Sequence, residues 1–342
     1  MSTVVRTVSE ERLKAIMTHL LVAVSVPQED ADRCAYIYWT ASVRGIDTHG
    51  IRLLPGNIRR ILGGAINPRP SILEVANAGA LVILDGDRGL GPVVGAVAMD
   101  RAIGVARRNG IGCAVARNSN HYGASGAFVM RAIDAGMMGI SFSNCGQMMT
   151  IEGTTSRTIG NNPIAIGAPG PDFPMVLDMA TSVASLGRIG MRRRDGKPLP
   201  DEWVVQETDR TRDLILRHFG GAKGSGLAIM LEVLSGVLSG AGAHRLLNYN
   251  AREESDGAAH TQIAIDTDLV QSRDRYDEHM RELVARLKSA ECAPGVNEVR
   301  LPGERAWRET LERRQNGIPI DDDTAKALDG IATEIGTAVP WA

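Results

Sequence analysis

Ala80-Leu81-Val82-Ile83-Leu84-Asp85, followed after three residues by Gly89-Leu90-Gly91-Pro92-Val93-Val94-Gly95, reads as a strand, a glycine-rich turn and the start of a helix. A dinucleotide-binding loop has this order of elements, but its glycines are spaced G-x-G-x-x-G, and an acid at the end of the next strand holds a ribose. Here the spacing is G-x-G-x-x-x-G, one residue longer, and the next strand, 111–116, ends in Arg117-Asn118. An arginine there is suited to a 2′-phosphate, so the spacing argues against the doubly wound reading without closing it. The alternative is a strand, turn and helix whose glycines serve close backbone packing.

Outward from this stretch the pattern changes character. Toward the N-terminus the chain reads helical over 9–24, with Ser9 as cap and Glu10 and Glu11 in the first turn, and again over 27–45 and 51–62. Gly63-Gly64 and Asn67-Pro68-Arg69-Pro70 interrupt it, which sets an expected domain boundary near residue 70. Beyond it, strands are expected over 71–75, 80–85, 111–116, 137–143, 164–168, 175–179 and 262–266. Helices are expected over 92–108, 128–135, 223–238 and 272–289, with a helical tail from Glu304. Strands and helices mix without strict alternation, which suits an α+β class as well as a doubly wound sheet.

Composition narrows the function classes. The net charge of −2 gives no basic face for a nucleic acid. The four cysteines lie far apart without a C-x-x-C pair, so neither a zinc site nor a disulfide framework is expected, and a reducing cytoplasm is. The N-terminus lacks a basic segment followed by an apolar one, so no signal peptide is expected. The apolar runs are too short to span a bilayer.

Three stretches carry candidate chemistry. Thr48-His49-Gly50-Ile51-Arg52 sets an imidazole and a guanidinium three residues apart: a group that exchanges a proton near neutral pH beside one that clamps a carboxylate. Asn118-Ser119-Asn120-His121-Tyr122-Gly123 offers a second histidine in a turn. Gly220-Gly221-Ala222-Lys223-Gly224-Ser225 fails the Walker spacing, yet joins a lysine to flexible backbone at a helix start, which suits an anion as well as a plain helix-capping turn. Asp178 ends an apolar strand, where it either orients a ring or ribose or caps the following segment.

Taken together, the motifs resemble the malate/L-lactate dehydrogenase family of the second type, which also holds ureidoglycolate and sulfolactate dehydrogenases, 2,3-diketogulonate reductase and cyclic-imine 2-carboxylate reductases. The matching residues are Thr48-His49-Gly50 with Leu54-Pro55, Asn118-x-x-His121-x-Gly123-x-x-Gly126, Gly160-Asn161-Asn162-Pro163, Leu177-Asp178-Met179-Ala180-Thr181-Ser182, and Gly196-Lys197-Pro198-Leu199-Pro200 with Trp203. Gly221-Ala222-Lys223-Gly224-x-Gly226-Leu227 and Pro302-Gly303-Glu304 complete the set. The resemblance implies a non-Rossmann nicotinamide-binding fold, with a helical domain from both termini (1–70 and 290–342) and a central α+β domain (71–289) that binds NAD or NADP. It also implies a homodimer acting on a small carboxylate. By motif, His49 is the proton donor and His121 a second catalytic histidine; the chemistry of the residues themselves adds Arg52 as carboxylate clamp. Pro174, Met175, Val176, Leu177, Asp178, Met179, Ala180 and Thr181, together with Lys223, Gly224, Pro302, Gly303 and Glu304, are cofactor contacts.

The chain also departs from the family. Asn57 stands where a tyrosine is usual, and Leu53 where the arginine often sits. Gly187-Arg188 replaces a Gly-Lys pair, and Cys145 or Gly146 falls near a lysine of the ureidoglycolate enzyme. The stretch after Trp203 is short and carries Arg210, Arg212 and Arg217. Three activities are therefore expected as alternatives: hydride transfer to a 2-oxo/2-hydroxy acid, reduction of a cyclic imino acid, or a binding homologue with impaired catalysis.

Overall fold

A computed structural model describes residues 4–206, 214–241 and 257–341. Its centre is a seven-stranded sheet in the order β2 (Leu73–Ala78), β3 (Leu81–Asp85), β4 (Ile111–Ser119), β10 (Ala258–Ile265), β5 (Met138–Ser143), β6 (Ile164–Ala168), β7 (Met175–Met179). Only β3 and β4 run parallel, joined by α4 (Gly91–Asn109); the other neighbours are antiparallel. One parallel pair in an antiparallel sheet is not a doubly wound fold, and the class is α+β.

Helix α2 (Gln28–Val43) packs against the layer formed by α4 and α5 (Ser125–Asp134), α1 (Glu10–Ala23) packs on α2, and α3 (Leu54–Leu62) packs on α10 (Asp322–Glu334). Ser9 caps α1, accepting from Arg12 N at 3.2 Å, as its position before two acids predicts. The main core joins Leu13, Tyr38 and Ile58 from the N-terminal helices with Met99 and Phe128 and with Leu328 near the C-terminus, so it runs unbroken across residue 70.

Several expected elements are corrected. The first sixty residues and the tail from Glu304 are not wholly helical: β1 (Val4–Val8) pairs antiparallel with β11 (Ile318–Asp321), and α9 (Glu304–Asn316) precedes β11. That pairing spans more than three hundred residues, and local periodicity does not register so distant a partner. The helix expected over 223–238 is α7 (Ala222–Glu232), continued by a π turn at Val233–Val237. The expected 272–289 helix is α8 (Arg273–Lys288). Unforeseen is a second, smaller core of Met149, Ile159, Ile189, Trp203 and Leu216, built from loops, α6 (Leu186–Arg194), β8 (Val204–Gln206) and β9 (Ile215–Leu216). No described helix is long and apolar enough to cross a membrane.

The opening glycine stretch resolves in favour of packing. Gly91 begins α4 against the loop after β4, and a Cβ there would lie 2.2 Å from Asn120 O and 2.3 Å from His121 O. The close approach is to protein backbone, and it fixes the path of the chain through His121. Gly91→Ala is expected to destabilise the protein by about 1–3 kcal/mol, because a rigid backbone contact cannot yield as a flexible side chain would. Thermal unfolding checks this, and a variant as stable as the parent would contradict the packing role.

Candidate active site

A cavity of about 710 Å³ opens where the turn before α3, the loop after β4, the end of β7 and the start of α6 converge. That is the size of a small-molecule site. His49 and His121 face each other in its wall, ring centroids 5.9 Å apart.

His49 ends a single 3₁₀ turn, Asp47–His49. Two anchors hold the turn. Arg313 of α9 reaches Asp47 Oδ1 at 2.5 Å and the Ser42 carbonyl at 2.6 Å. Gly50 presses on α2, where a Cβ would sit 2.1 Å from Ser42 Oγ. The His49 Nδ1 lies 2.9 Å from Thr48 Oγ1. That hydroxyl can donate to Nδ1 or accept from it, so Nε2 can present either a lone pair or a proton.

His121 is set by its neighbour. Asn120 donates to the carbonyls of Arg88 (2.9 Å) and Gly89 (2.8 Å), and its Oδ1 accepts from Arg60 Nη2 at 3.1 Å. A buried guanidinium thus stands beside the second histidine, in the same cavity wall. Burial drives the pKa of both histidines down to about 4; His49 is pushed further by His121, and His121 by the charge of Arg60. Both are therefore neutral at neutral pH in the free protein. Behind them His260 is fully buried, stacked on the Tyr122 ring at 4.4 Å and bonded to Ser119 Oγ (2.8 Å) and Ser143 Oγ (2.9 Å), its pKa lowered to about 3 by burial.

Asp178 projects from β7 into the cavity and accepts from Gly126 N at 3.0 Å, so it caps α5 from another strand. Enclosure by protein raises its carboxyl pKa, against the pull of the Gly126 N–H and of Arg44. Asn57, in the usual tyrosine position, is buried and donates to the Tyr38 hydroxyl.

The other expected site residues divide. Met179 and Ala180 line the large cavity with Asp178, while Val176 and Gly303 line a smaller one beside it. Val176 N donates to Pro302 O at 3.2 Å, so the two expected cofactor stretches meet. Pro174, Met175, Leu177 and Thr181 line neither cavity. The Glu304 carboxylate is occupied by Lys288 Nζ (2.5 Å), Arg308 Nη2 (2.6 Å) and Leu301 N (3.1 Å). Lys223 is exposed and Gly224 packs on Phe219 O; both lie outside the cavities, and the glycine turn there shapes the start of α7. Arg52 is exposed and does not line the cavity, whereas Arg60 does. Spacing could have found it: Leu53, Asn57 and Arg60 recur at i, i+4 and i+7, one stripe of a helix, and Arg52 lies a residue off that stripe. Arg210 and Arg212 lie outside the described residues. Among the described residues no cluster of His, Cys, Asp or Glu could hold a metal ion.

A family model described as "Malate/L-lactate dehydrogenase" matches residues 8–329. The chain is 33% identical to malate dehydrogenase of Pyrococcus horikoshii over 344 residues, covering 96% of this chain and 95% of that one. The structure of sulfolactate dehydrogenase from Methanocaldococcus jannaschii superposes with a TM-score of 0.89 at 32% identity, covering 98% of each chain. That of delta1-piperideine-2-carboxylate reductase from Pseudomonas syringae gives 0.83 at 27% identity, over 96% of this chain and 100% of the other. With its mixed sheet, its paired histidines and this match along nearly its whole length, the chain belongs to the malate/L-lactate dehydrogenase family and is an oxidoreductase.

Proposed function

We propose that this protein transfers a hydride between NAD(P)H and a small 2-oxo/2-hydroxy carboxylic acid, with His49 exchanging the proton. The observation that carries this reading is the pairing of His49 and His121 in one cavity wall with a buried guanidinium beside them. The cavity has the volume of a small-molecule site, and the stretches around Val176–Ala180 and Pro302–Gly303 adjoin it, which fits a nicotinamide cofactor. When bound, that cofactor supplies or receives the hydride.

The chain's own residues supply the rest. Arg60 orients the substrate carboxylate, a task for which a planar fork of donors is suited. In the oxidising direction the neutral His49 takes the hydroxyl proton at Nε2. In the reducing direction the negative charge of the bound acid favours the imidazolium, which returns that proton to the alkoxide. Leu53, Met148 and Met179 give the cavity an apolar wall against water.

Arg60→Lys is expected to raise the Michaelis constant for the acid about tenfold or more with little change in turnover, because lysine keeps the charge and loses the fork. An unchanged Michaelis constant in a folded variant would remove Arg60 from this role. The reading as a whole is tested by nicotinamide absorbance with pyruvate, oxaloacetate and cyclic imino acids. Oxidation of NAD(P)H by none of them would overturn it. Turnover with imino acids alone would move the substrate to a C=N bond, a reading favoured by the structural likeness to delta1-piperideine-2-carboxylate reductase.

We also propose a homodimer in the cytoplasm. Ile229, Met230, Val233, Leu234, Val237 and Leu238 form an exposed apolar stripe along α7 and its π turn, which a second copy would cover. A solution mass of one chain by light scattering would count against it.

A further inference from the structure

Behind the two cavity histidines the sheet carries polar side chains where packing alone favours apolar ones. His260 and Gln262 lie on the same face of β10 as Ala264, which packs in the main core under α4. Both are fully buried, and Ser119, Ser141 and Ser143 on the flanking strands are at most 3% exposed. Burying polar groups is unfavourable unless they are partnered. His260 is the one whose partners lead to the cavity wall.

Its ring is engaged on every side. Nε2 lies 2.8 Å from Ser119 Oγ and Nδ1 2.9 Å from Ser143 Oγ, which in turn donates to the carbonyl of Asn144 (2.9 Å) or Ala259 (3.0 Å). A backbone hydrogen bond with Asn120 draws on the ring as well. Its face stacks on the Tyr122 ring, 4.4 Å between centroids and 9° from parallel. The Tyr122 hydroxyl is held in turn by Ser125 Oγ at 2.6 Å, at the start of α5. His260 therefore touches Ser119, Asn120 and Tyr122, and the remaining residue of that run is His121.

The run needs such a hold, because the chain there leaves the regular sheet. The pairing of β10 with β4 slips between Ala258 and His260: Ala258 faces Ser119 but His260 faces Ala116, so β4 carries one extra residue. A bulge of this kind bends a strand and re-aims the side chains that follow it. Within it Asn118 takes a φ of +52°, unfavourable for a residue with a side chain. Asn118 is tied to Asp85 Oδ1 at 3.0 Å, and from Ser119 onward the tie is to His260.

We propose that His260 is a positioning residue: through Ser119 and Tyr122 it holds the bulged end of β4 so that His121 faces His49 across the cavity. The inference rests on the catalytic reading of the histidine pair given above. The ring does this without adding a charge, since burial, and then His121, lower its pKa to about 3.

Three variants separate positioning from mere filling of the core. His260→Phe keeps a ring against Tyr122 and loses the hydrogen bonds, whereas His260→Gln keeps a polar end for Ser119. Ser119→Ala removes one hydroxyl and probes the same contact even where His260→Phe fails to fold. His260→Phe is expected to lower kcat about tenfold to a hundredfold, the effect of a slightly misplaced group, with the dissociation constant of NAD(P)H by fluorescence within a few-fold of the parent. Ser119→Ala should lower kcat in the same direction, and His260→Gln should recover part of the loss. In a His121→Ala background, adding His260→Phe or Ser119→Ala should change kcat less than about twofold, because the group being positioned is gone. Ring carbon–proton spectra of histidine-labelled protein read His121 without any substrate. Both variants should shift its signal, identified by its loss in His121→Ala, and leave those of the exposed His19 and His279 in place. Equal losses of kcat in the two backgrounds, or an unmoved His121 signal, would overturn the proposal. A parent that turns over none of the acids would fault the catalytic reading instead, and the His121 signal would then decide the positioning alone.

Discussion

His49→Ala is expected to lower turnover about 10²–10⁴-fold while NAD(P)H affinity stays within a few-fold of the parent. The imidazole sits in the cavity wall on a turn pinned by Arg313 and by the Gly50 contact with α2, so its removal takes away a positioned proton-transfer group without disturbing the sheet. The pH profile supplies a second check. The free-protein pKa is about 4, so the base form is already complete at neutral pH. For oxidation of the hydroxy acid, kcat/KM should therefore show no histidine-dependent rise from pH 6 upward, and should fall as pH drops toward 4. Steady-state kinetics with stopped-flow binding of the cofactor measure both. Full activity in His49→Ala would end the claim that this residue handles the proton, and His121→Ala would then be the next variant to test.

The second large effect is on stability in acid. His49, His121 and His260 all have folded-state pKa values below the ordinary 6.5, to about 4, about 4 and about 3, and burial is the leading cause in each. The unfolded chain therefore binds more protons than the folded one between those values and 6.5. Stability is complete above pH 6.5 and is lost as pH falls through that window. Since one pKa unit corresponds to about 1.4 kcal/mol, the three together cost on the order of several kcal/mol by pH 4. The decline between pH 6.5 and about 5 is diagnostic, because most carboxylates titrate below it. His260→Gln should flatten it, as this ring is fully enclosed between Ser119, Ser143 and Tyr122. A melting temperature constant from pH 6.5 to 5 would show that the histidines are not held neutral by burial.

Much of the local structure was legible in the residues because its causes are local. The Ser9 cap, the strand Leu81–Asp85, the helix opening at Gly91 and the two short strands near Asp178 follow from capping, alternation and breakers that act within a few positions. The smaller core around Trp203 was not legible, since it is assembled from loops whose apolar residues follow no period. Nor was the ribbon of β1 and β11, although Val4, Val5, Thr7 and Val8 are good strand formers, because its partner strand lies at the other end of the chain.

By itself the sequence determined the chemistry available to this protein: two histidines in glycine-bounded turns, the Asp178 run, and a motif order that marks the family. Its glycine spacing argued against a dinucleotide loop in the opening stretch, and the packing of Gly91 on the loop after β4 closed that question. The tertiary structure decided which groups share a cavity. It set Arg60 beside His121 through Asn120, left Arg52 in solvent, and brought Arg44 and Arg305 together from residues far apart in the chain. It also made the histidines neutral. The physical reason is the same in each case: proximity and burial arise only when distant segments pack, and both cation placement and proton affinity depend on what those segments exclude.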